Sequence, residues 1–513
     1  MKSKITILIL LFATSLLSAQ TVNIQGDPYS GNPYATITDA ITASTNPADV
    51  ILITGVHTET ITINKSITLR GTDPSSDIIQ AAGTASSDGT GTNVINVIRD
   101  EDTDVLNVTI ENLGVRNGNA DSNTNGGGIN VDKVTGLLTI KNLIVENNHT
   151  SKNGGAMSFA GSNVDILECT IRNNTSSLDG GAIIAAPNNA AEINSVINIK
   201  QSLINTNTGR NGGGIYVNGN NQFGNNYTID LNIENSTISN NSATSASGGA
   251  GGGAIWTKVA VWTTNAGGDG SSGNINLSLV HATVYNNTHA ASVKTGLRFT
   301  GTAGITTNFS AYNSIIVSAD DVSQKVINFT NSNTTDVVNC ILGGLEGAGP
   351  FLSIIDDTNK NNLKGRTATQ SGLTGTLSDE GGNTQVIAIA DASAAIDFCS
   401  ASTGITLPTI DQRGAIRTGA LDAGAFELGG TLSTDENLVS ILNIDMYPNP
   451  AQNLVQIKGF DSIDSIKIYS VLGAVERTVK NQSSFDVTGL ASGIHIVVIK
   501  GDNSIVSKRL IVK

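Results

Sequence analysis

The sequence predicts an all-β protein in which a right-handed parallel β-helix is followed by a small antiparallel β-sandwich. The first observation is an apolar pattern that recurs from Val108 to Ile341 at intervals of 26 to 46 residues, near the period of stacked repeat proteins. The second is the alternation of apolar residues within each copy, which is typical of a strand with one buried face. The third is a change after Met446 to a series of short alternating strands.

The repeats share columns of like residues. The columns are the strand-ending residues Val115, Val145, Ile171, Ile204, Ile238, Val284 and Ile316, the residues five earlier, Ile110, Ile140, Ile166, Ile199, Ile233, Leu279 and Ala311, and the residues two later, Asn117, Asn147, Asn173, Thr206, Asn240, Asn286 and Ser318. A short strand cannot bury its apolar face alone, so we expect the copies to stack and fill a common interior. We expect the asparagine column to form an amide ladder at a bend. A β-sandwich is the alternative, but sandwiches do not align columns across so many copies.

Five glycine pairs each lead into a second apolar strand of a repeat. The pairs are Gly127-Gly128, Gly154-Gly155, Gly180-Gly181, Gly213-Gly214 and Gly252-Gly253. Glycine permits the positive φ or the close packing that a tight corner needs, so the pairs predict corners of the helix.

The chain begins with a predicted signal peptide, residues 1–19. Lys2 and Lys4 precede an apolar run over residues 5–17, and small residues follow at a cleavage site near Ala19. The run is too short to span a membrane, and no later stretch predicts a transmembrane segment. We therefore expect an exported protein.

The β-helix is predicted over residues 20–430, with its first coils and cap in 20–107, regular repeats in 108–342 and a closing segment in 343–430. Within the first part, the stretch from Tyr34 to Ile41 predicts a short amphipathic helix that covers the open end of the stack.

An acidic cluster lies at Asp100, Glu101, Asp102 and Asp104. Carboxylate oxygens are the ligands of hard cations, so the cluster is a candidate calcium site, and calcium is the one cofactor that the sequence suggests. The alternative is a solvated turn, because the glycine and ligand spacing of a calcium loop is missing. The net charge of −14 argues against nucleic acid and anionic membranes as partners.

The closing segment contains three short motifs. They are Ala394-Ala395-Ile396-Asp397, Asp411-Gln412-Arg413-Gly414 and Asp422-Ala423-Gly424-Ala425-Phe426-Glu427. Their order resembles the end segment of exported bacterial β-helix proteins whose C-terminal anchor type varies. We expect Asp411, Arg413, Arg417 and Glu427 to pair with each other at the last coil. A catalytic acid–base set is the alternative.

A polar linker is predicted over residues 431–445 and a separate β-domain over 446–513. The domain opens with Tyr447-Pro448-Asn449-Pro450, continues with the strand and turn Ile466 to Gly473, and ends with Lys508-Arg509-Leu510-Ile511-Val512-Lys513. These features resemble the C-terminal sorting domain read by the type IX secretion system of Bacteroidota. The resemblance implies passage through the outer membrane, removal of the domain, and surface attachment or release. The sorting-signal residues it implies are Pro448, Asn449, Pro450, Gly473, Gly493, Lys508 and Arg509.

Catalytic residues are not predicted. Parallel β-helices of the pectin-lyase-like kind host lyases, which use a basic residue, and hydrolases, which use paired carboxylates. Asp320-Asp321 is similar to the adjacent acids of polygalacturonases, but the accompanying motifs are missing. His281 alone is expected to be a bend residue.

A glycan-binding surface is better supported. The outward residues of the strands that follow the glycine pairs are Asn130, Ser158, Ile184, Tyr216 and Trp256. The last three are expected to stack as an apolar-aromatic stripe, and exposed aromatic faces are platforms for sugar rings. The alternative is that the insertions at 185–195 and 259–273 fold over the stripe.

The sequence therefore predicts a secreted or cell-surface protein used for adhesion or glycan binding without catalysis. Its expected partners are the type IX secretion machinery and a polysaccharide or a host or neighbouring cell surface. The alternative is a polysaccharide lyase or glycoside hydrolase that acts on an acidic polysaccharide.

Overall fold

The protein is represented by a computed structural model that divides into two compact units, residues 1–432 and 433–513. The structure describes residues 20–25, 34–47, 49–99, 105–187, 194–219, 227–246, 251–259, 273–290, 296–300, 307–319, 321, 323–330, 333–346, 353, 355–432, 445–458, 463–470, 475–480, 482–501 and 504–513. The predicted signal peptide lies outside these residues. Among the residues that are described, no helix is both long and apolar enough to cross a membrane.

The first unit is a parallel β-helix, as the repeats predict. Each complete winding of the chain, here called a coil, contributes strands to sheets that run the length of the stack. Sheet 1 contains Thr21–Ile24, Val50–Thr54, Ile67–Arg70, Val108–Glu111, Leu137–Lys141, Asn163–Leu167, Ser195–Lys200, Tyr227–Glu234, Gly273–Val280, Thr307–Tyr312 and Asn333–Val338. Sheet 2 contains Val56–Thr58, Ile78–Gln80, Gly114–Arg116, Ile144–Glu146, Thr170–Arg172, Leu203–Asn205, Thr237–Ser239, Thr283–Tyr285, Ile315–Val317 and Ile341–Leu342.

Two further sheets complete the coils. Sheet 3 is made of the two-residue strands Asn119–Ala120, His149–Thr150, Thr175–Ser176, Thr208–Gly209, Ser242–Ala243 and Thr288–His289. Sheet 4 contains Ile61–Ile63, Ile95–Ile98, Ile129–Asp132, Met157–Ala160, Ile183–Ala186, Ile215–Asn218, Ile255–Lys258, Leu297–Thr300, Lys325–Thr330 and Gly344–Glu346. All pairs within these sheets are parallel except the first pair of sheet 1, Thr21–Ile24 with Val50–Thr54.

The predicted stacking of the aliphatic columns is confirmed. Ile140 lies in register between Ile110 and Ile166, and Ile199 lies between Ile166 and Ile233. These side chains are at most 1% exposed and belong to one continuous hydrophobic core. The interior of the coils is therefore filled by residues that are far apart in sequence but equivalent in the repeat.

The coils turn at residues with positive φ. One column of such residues joins sheet 1 to sheet 2, and it consists of Asn112, Asn142, Glu168, Gln201, Asn235, His281, Asn313 and Asn339. Asparagine tolerates the left-handed region better than other non-glycine residues, which explains its frequency here. His281 has a φ of 48°, so it is the bend residue that the sequence predicts.

In the predicted asparagine column, Nδ2 of Asn286 donates to Oδ1 of Asn240 at 2.8 Å, but the longer, buried ladder lies one residue later. Asn147, Asn173 and Asn240 have positive φ and form the corner between sheets 2 and 3. The continuous ladder of fully or almost fully buried amides is formed instead by the residues that follow this corner, Asn148, Asn174, Asn207, Asn241 and Asn287. Successive amides are linked from Nδ2 to Oδ1 over 2.9 to 3.0 Å.

The glycine pairs lie at corners because two backbones meet there. Gly180 has a φ of 71°, and a Cβ atom built on Gly181 would lie 2.2 Å from the carbonyl oxygen of Gly213. A side chain at Gly181 would therefore collide with the next coil. This close approach explains why glycine recurs at the position.

A short helix, α1 (Ile37–Ala43), buries Ile37 and Ile41 in the core of the first coils, as predicted for a cap. Thr36 caps its N-terminus through a hydrogen bond from Asp39 N. The Glu59 carboxylate accepts the backbone N–H of Ile37 at 2.9 Å. The first turn of the helix is thereby bonded to the strand region that it covers.

The closing segment runs back along the outer face of sheet 2. It contains a 3-10 helix (Thr358–Lys360), the helix α2 (Ala368–Ser371), and the antiparallel strand pairs Leu373–Ser378 with Val386–Ile389 and Ala415–Ile416 with Thr431–Leu432. Its apolar residues form a second core with outward residues of sheet 2, among them Tyr285 and Val317. Sheet 2 is therefore covered on both faces in this region.

The predicted ionic cluster forms, but its predicted location is wrong. Arg417 pairs with Glu427 at 2.9 Å, and Arg413 pairs with Asp411 at 2.6 Å. Arg417 also donates from Nη2 to Oδ1 of Asn235 at 3.0 Å, so the cluster is attached to a middle coil and not to the last one. The location differs because the closing segment runs back from the last coil toward earlier coils, which brings Arg417 to Asn235. The side chains of both pairs are at most 7% exposed, which argues against the catalytic alternative.

The second unit has two antiparallel sheets, as predicted for the C-terminal domain. One contains Asp445–Tyr447, Leu454–Lys458 and Ser484–Asp486, and the other contains Ser465–Ser470, Val475–Lys480, Gly493–Gly501 and Ser504–Val512. Residues of both sheets, including Val455, Phe485, Ile468 and Val497, share one hydrophobic core.

Candidate functional site

The outer face of sheet 4 carries the residues that the sequence singles out for binding. One outward column runs in register through Asn96, Asn130, Ser158, Ile184, Tyr216, Trp256, Arg298 and Asn328. Alternate residues of the same strands, such as Ile129 and Val131, point into the core. Along the stack the column is polar as far as Ser158, apolar-aromatic from Ile184 to Trp256, and polar again at Arg298 and Asn328.

The apolar-aromatic stripe is formed as predicted but is not exposed. The rings of Tyr216 and Trp256 have centroids 5.0 Å apart, and Ile184 packs with them as a separate cluster. Their exposures are 4%, 6% and 4% for Tyr216, Trp256 and Ile184 respectively, so the expectation of an open sugar platform is not met. Burial also raises the pKa of Tyr216. A covered patch, the alternative stated above, agrees with these values.

Trp256 is held by specific contacts. Its Nε1 donates to Oγ1 of Thr300 on the next coil at 3.0 Å, and the Lys258 ammonium lies 5.6 Å from its ring centroid. A satisfied indole N–H is the usual state of a buried tryptophan. The stripe therefore has the character of a packed cluster.

A polar cleft lies on the same face at the earlier coils. Its volume is about 490 Å³, which is within the range of small-ligand sites. The cleft is lined by Asn96, Asn123, Thr124, Asn125, Asn130, Asp132, Lys133, Ser158, Ala160 and Pro187. Three adjacent strands of sheet 4 form the floor of the cleft, Ile95–Ile98, Ile129–Asp132 and Met157–Ala160. Asp132 and Ala160 lie in register on two of them.

One wall of the cleft is a turn that is bonded to the next coil. The carbonyl oxygen of Thr124 accepts the hydroxyl of Thr150 at 2.8 Å, and Oδ1 of Asn125 accepts Nδ2 of Asn153 at 3.2 Å. Both contacts fix the turn against a neighbouring strand ladder. The wall is therefore positioned before any ligand arrives, which reduces the entropy lost on binding.

The floor of the cleft presents amide groups. Nδ2 of Asn130 donates to Oδ1 of Asn96 at 3.3 Å, and Nδ2 of Asn96 donates to Oδ1 of Asn93 at 3.0 Å. Each asparagine amide has two N–H donors and an oxygen that accepts two bonds. The amides can thus bond one another and also bond hydroxyl groups of a ligand.

One carboxylate and one ammonium are among the described lining residues, Asp132 and Lys133. Burial raises the pKa of the Asp132 carboxyl, and the nearby cations Lys133 and Arg99 act in the opposite direction. Lys133 has a φ of 62°, and its backbone N–H donates to the carbonyl oxygen of Ala160 at 2.9 Å. This backbone bond holds Lys133 directly after Asp132, which is the last residue of its strand.

The residues considered for catalysis are placed as follows. His281 is fully buried, and its Nε2 accepts a hydrogen bond from Nδ2 of Asn313 at 2.9 Å. Burial, with a contribution from Arg417, holds the pKa of His281 well below its ordinary value, so the imidazole is neutral. Asp321 is exposed and accepts the backbone N–H of Ser323 at 2.8 Å, whereas Asp320 lies outside the described residues.

The predicted calcium ligands, Asp100, Glu101, Asp102 and Asp104, lie outside the described residues. Within the part of the chain that the structure describes, no group of three or more His, Cys, Asp or Glu residues is arranged to hold a metal ion.

In the second unit, the implied sorting-signal residues are spread over the opening turn at Asn449, the start of the strand Gly493–Gly501, and the last strand, Ser504–Val512, which contains Lys508. Oδ1 of Asn449 accepts the backbone N–H of Ile511 at 2.9 Å, which ties the opening turn to the last strand. Gly493 has a φ of 143°, and Lys508 is exposed. Gly473 and the side chain of Arg509 are outside the described set.

Comparison with family models finds one match in this unit. Residues 445–513 match the secretion system C-terminal sorting domain. They are a type IX sorting domain. The domain indicates that the chain is exported by the type IX secretion system, becomes associated with the outer membrane or cell surface, and has the secretion machinery as a partner. Comparisons of the chain with curated proteins and with solved structures find no match.

Sequence reasoning identified part of the cleft. Asn130 and Ser158 belong to the predicted outward column, and both line the cleft. Asp132 and Lys133 were missed, although a carboxylate two positions after an outward asparagine on the same strand face was a usable signal.

Proposed function

We propose that the protein is an exported adhesion protein that binds a glycan in the polar cleft of sheet 4 without catalysing a reaction. The observation that carries the proposal is the cleft itself, a volume of about 490 Å³ bordered by amide, hydroxyl, carboxylate and ammonium groups. The type IX sorting domain supports it, because export brings the β-helix to the place where extracellular glycans occur.

The chemistry of the lining suits sugar hydroxyls. Asparagine side chains both donate and accept, the Asp132 carboxylate accepts, and the Lys133 ammonium donates. Hydrogen bonds to charged groups are stronger than neutral ones, so Asp132 is expected to contribute most to affinity. Asn96, Asn130, Asp132 and Ser158 lie on paired strands of sheet 4, and sites built on strands are held more precisely than sites on loops.

The alternative, a lyase or hydrolase that acts on an acidic polysaccharide, is less well supported. Glycoside hydrolysis uses two carboxyl groups that flank the scissile bond. Asp132 is the carboxylate among the described lining residues of the cleft. A lyase would need a base, and Lys133 beside Asp132 is the candidate for that role.

The test is a glycan array probed with the mature protein, followed by calorimetry with the best ligand. We expect Asp132→Ala to weaken binding by about tenfold or more, which corresponds to about 1.4 kcal/mol. The control is Asp165→Ala, a carboxylate on the outer face of sheet 1 that bonds Asn198 at 2.8 Å. This control should bind as the wild type does.

Two results would contradict the proposal. The first is the absence of glycan binding by the wild-type protein, or equal binding by Asp132→Ala. The second is the appearance of new reducing ends, or of unsaturated ends that absorb in the ultraviolet, when the protein is incubated with polysaccharides. The second result would favour the enzymatic alternative.

A further inference from the structure

The sorting domain has an exposed apolar surface on its four-stranded sheet. Ile468 and Val497 point into the hydrophobic core. Because residues alternate along a strand, the other face of the sheet carries their neighbours. On that face Val475, Ile494 and Ile496 are 55%, 46% and 37% exposed.

These residues are adjacent in the sheet. Ile496 lies opposite Tyr469 on one neighbouring strand, and Tyr469 lies opposite Val475 on the edge strand. Ile494 lies opposite Ile511 on the last strand. We call Val475, Tyr469, Ile496, Ile494 and Ile511 the sorting-domain patch. It crosses all four strands.

The same face becomes basic away from the patch. Lys467 and Lys500 are exposed and lie opposite Val498 and Ser465, respectively. The solvated face of an antiparallel sheet is ordinarily polar, and contiguous exposed apolar residues mark interaction sites. A matching partner would present an apolar surface bordered by carboxylates, because opposite charges at the rim guide and orient docking.

We propose that the sorting-domain patch is the surface through which this domain docks onto a protein of the type IX secretion machinery. The sorting domain is the part of the chain that the secretion machinery recognises. A protein of that machinery is therefore the partner expected for the exposed apolar face of the domain. Lys467 and Lys500, at the border of the patch, orient the domain on its partner by attracting carboxylates there. The patch acts in export and has no part in the glycan cleft.

The experiment uses the full-length chain with Ile494→Thr and Ile496→Thr together, expressed in a bacterium that has the secretion system. Threonine is β-branched and keeps the strand propensity. We expect the exported fraction to fall by about tenfold, the effect of losing central interface contacts, and the full-length precursor to accumulate in the periplasm. The control is Leu454→Thr, which changes a residue that is 49% exposed on the other sheet.

Hydrogen exchange of the strands Ser465–Ser470 and Gly493–Gly501 in the purified full-length variants reports whether the sheet is intact. If the double variant loses protection there, Val475→Thr on the edge strand decides the question, since a substitution at an edge disturbs fewer neighbours. We expect Val475→Thr to reduce export and the control to be exported as the wild type is.

Three outcomes would overturn the proposal. One is normal export of both patch variants. Another is a wild-type dimer that the patch variants disrupt while export stays normal, which would make the patch a contact between copies. The third is faster proteolysis between the two units in the patch variants with normal export, which would make the patch a cover for the β-helix.

Discussion

Asn207 shows how a single buried amide holds neighbouring coils together. Its Nδ2 donates to the carbonyl oxygen of Ile171 at 2.9 Å and to Oδ1 of Asn241 at 2.9 Å. Its Oδ1 accepts both the backbone N–H and the Nδ2 of Asn174, at 3.0 and 2.9 Å. One fully buried side chain therefore bonds both the coil before it and the coil after it.

Asn207→Ala is expected to lower the free energy of unfolding by about 2 to 3 kcal/mol, because buried donors and acceptors lose their partners. The measurement is denaturant unfolding of the mature protein. The control is Asn232→Ala, which removes a partly exposed amide that bonds Asn198 at 3.0 Å on the outer face of sheet 1. An equal loss of unfolding free energy in the two variants would show that the buried ladder contributes no more to stability than an amide on the outer face.

The sequence contained the information needed to place this ladder. Four corners have two consecutive asparagines, as in Asn147-Asn148, so either column could have been the buried one. The corner Thr206-Asn207 distinguishes them, because the first column changes to threonine and the second remains asparagine. A buried ladder requires an amide in every coil, whereas a corner requires only a tolerated positive φ.

At the scale of elements, the closing segment is attached to the helix by buried hydrogen bonds, one of them from an arginine that is ion-paired within the segment. Arg417 contacts Glu427 within the segment, at 2.9 Å, and Asn235 in the helix, at 3.0 Å. Nearby, Thr283 accepts the backbone N–H of Ala425 at 3.0 Å, and Gln412 accepts the hydroxyl of Thr237 at 2.6 Å. The segment thus bonds directly to sheet 2 through side chains.

Arg417→Ala leaves Glu427 as a buried charge without its cation, and we expect a loss of about 3 to 5 kcal/mol in stability. Limited proteolysis should then release the closing segment at lower temperature than in the wild type. Lys200→Ala is the control, because Lys200 and Glu234 form a partly exposed pair at 3.5 Å, worth less than about 1 kcal/mol. A proteolysis pattern unchanged by Arg417→Ala would show that the pair does not hold the segment.

The sequence predicted the elements better than their long-range contacts. Aliphatic columns such as Ile140 and Ile166 fixed the register, because a shift of one residue would turn every side chain to the other face. The pairing of Arg413 with Asp411 was also predictable, since the two are close in sequence. The contact of Arg417 with Asn235 was not, because no periodic signal states where an irregular segment returns.

The same limit explains why the burial of the apolar-aromatic stripe could not be predicted from the sequence. Alternation correctly placed Tyr216 and Trp256 on the outer face of sheet 4 and in adjacent coils. Alternation reports which face a residue takes but not what covers that face. The exposure of the two rings therefore could not be derived from the pattern, and the cleft, which depends on the Asn123 turn, could not be derived either.

At the scale of the whole molecule, the chain combines an exported β-helix with a sorting domain that directs its export. Stacking fills the interior with aliphatic columns and leaves the outer faces of the sheets to vary. The closing segment covers part of sheet 2, and the earlier coils of sheet 4 retain a polar cleft. We assign contact with glycans to that cleft.

The most direct test of this assignment fills the cleft. Ala160 lies in register between Asp132 and Ala186 and lines the cleft floor, so Ala160→Trp would occupy its volume. Glycan binding by this variant is measured by calorimetry beside its thermal melting curve. We expect binding to be lost while the melting temperature stays that of the wild type. Undiminished glycan binding by a folded Ala160→Trp protein would contradict the account.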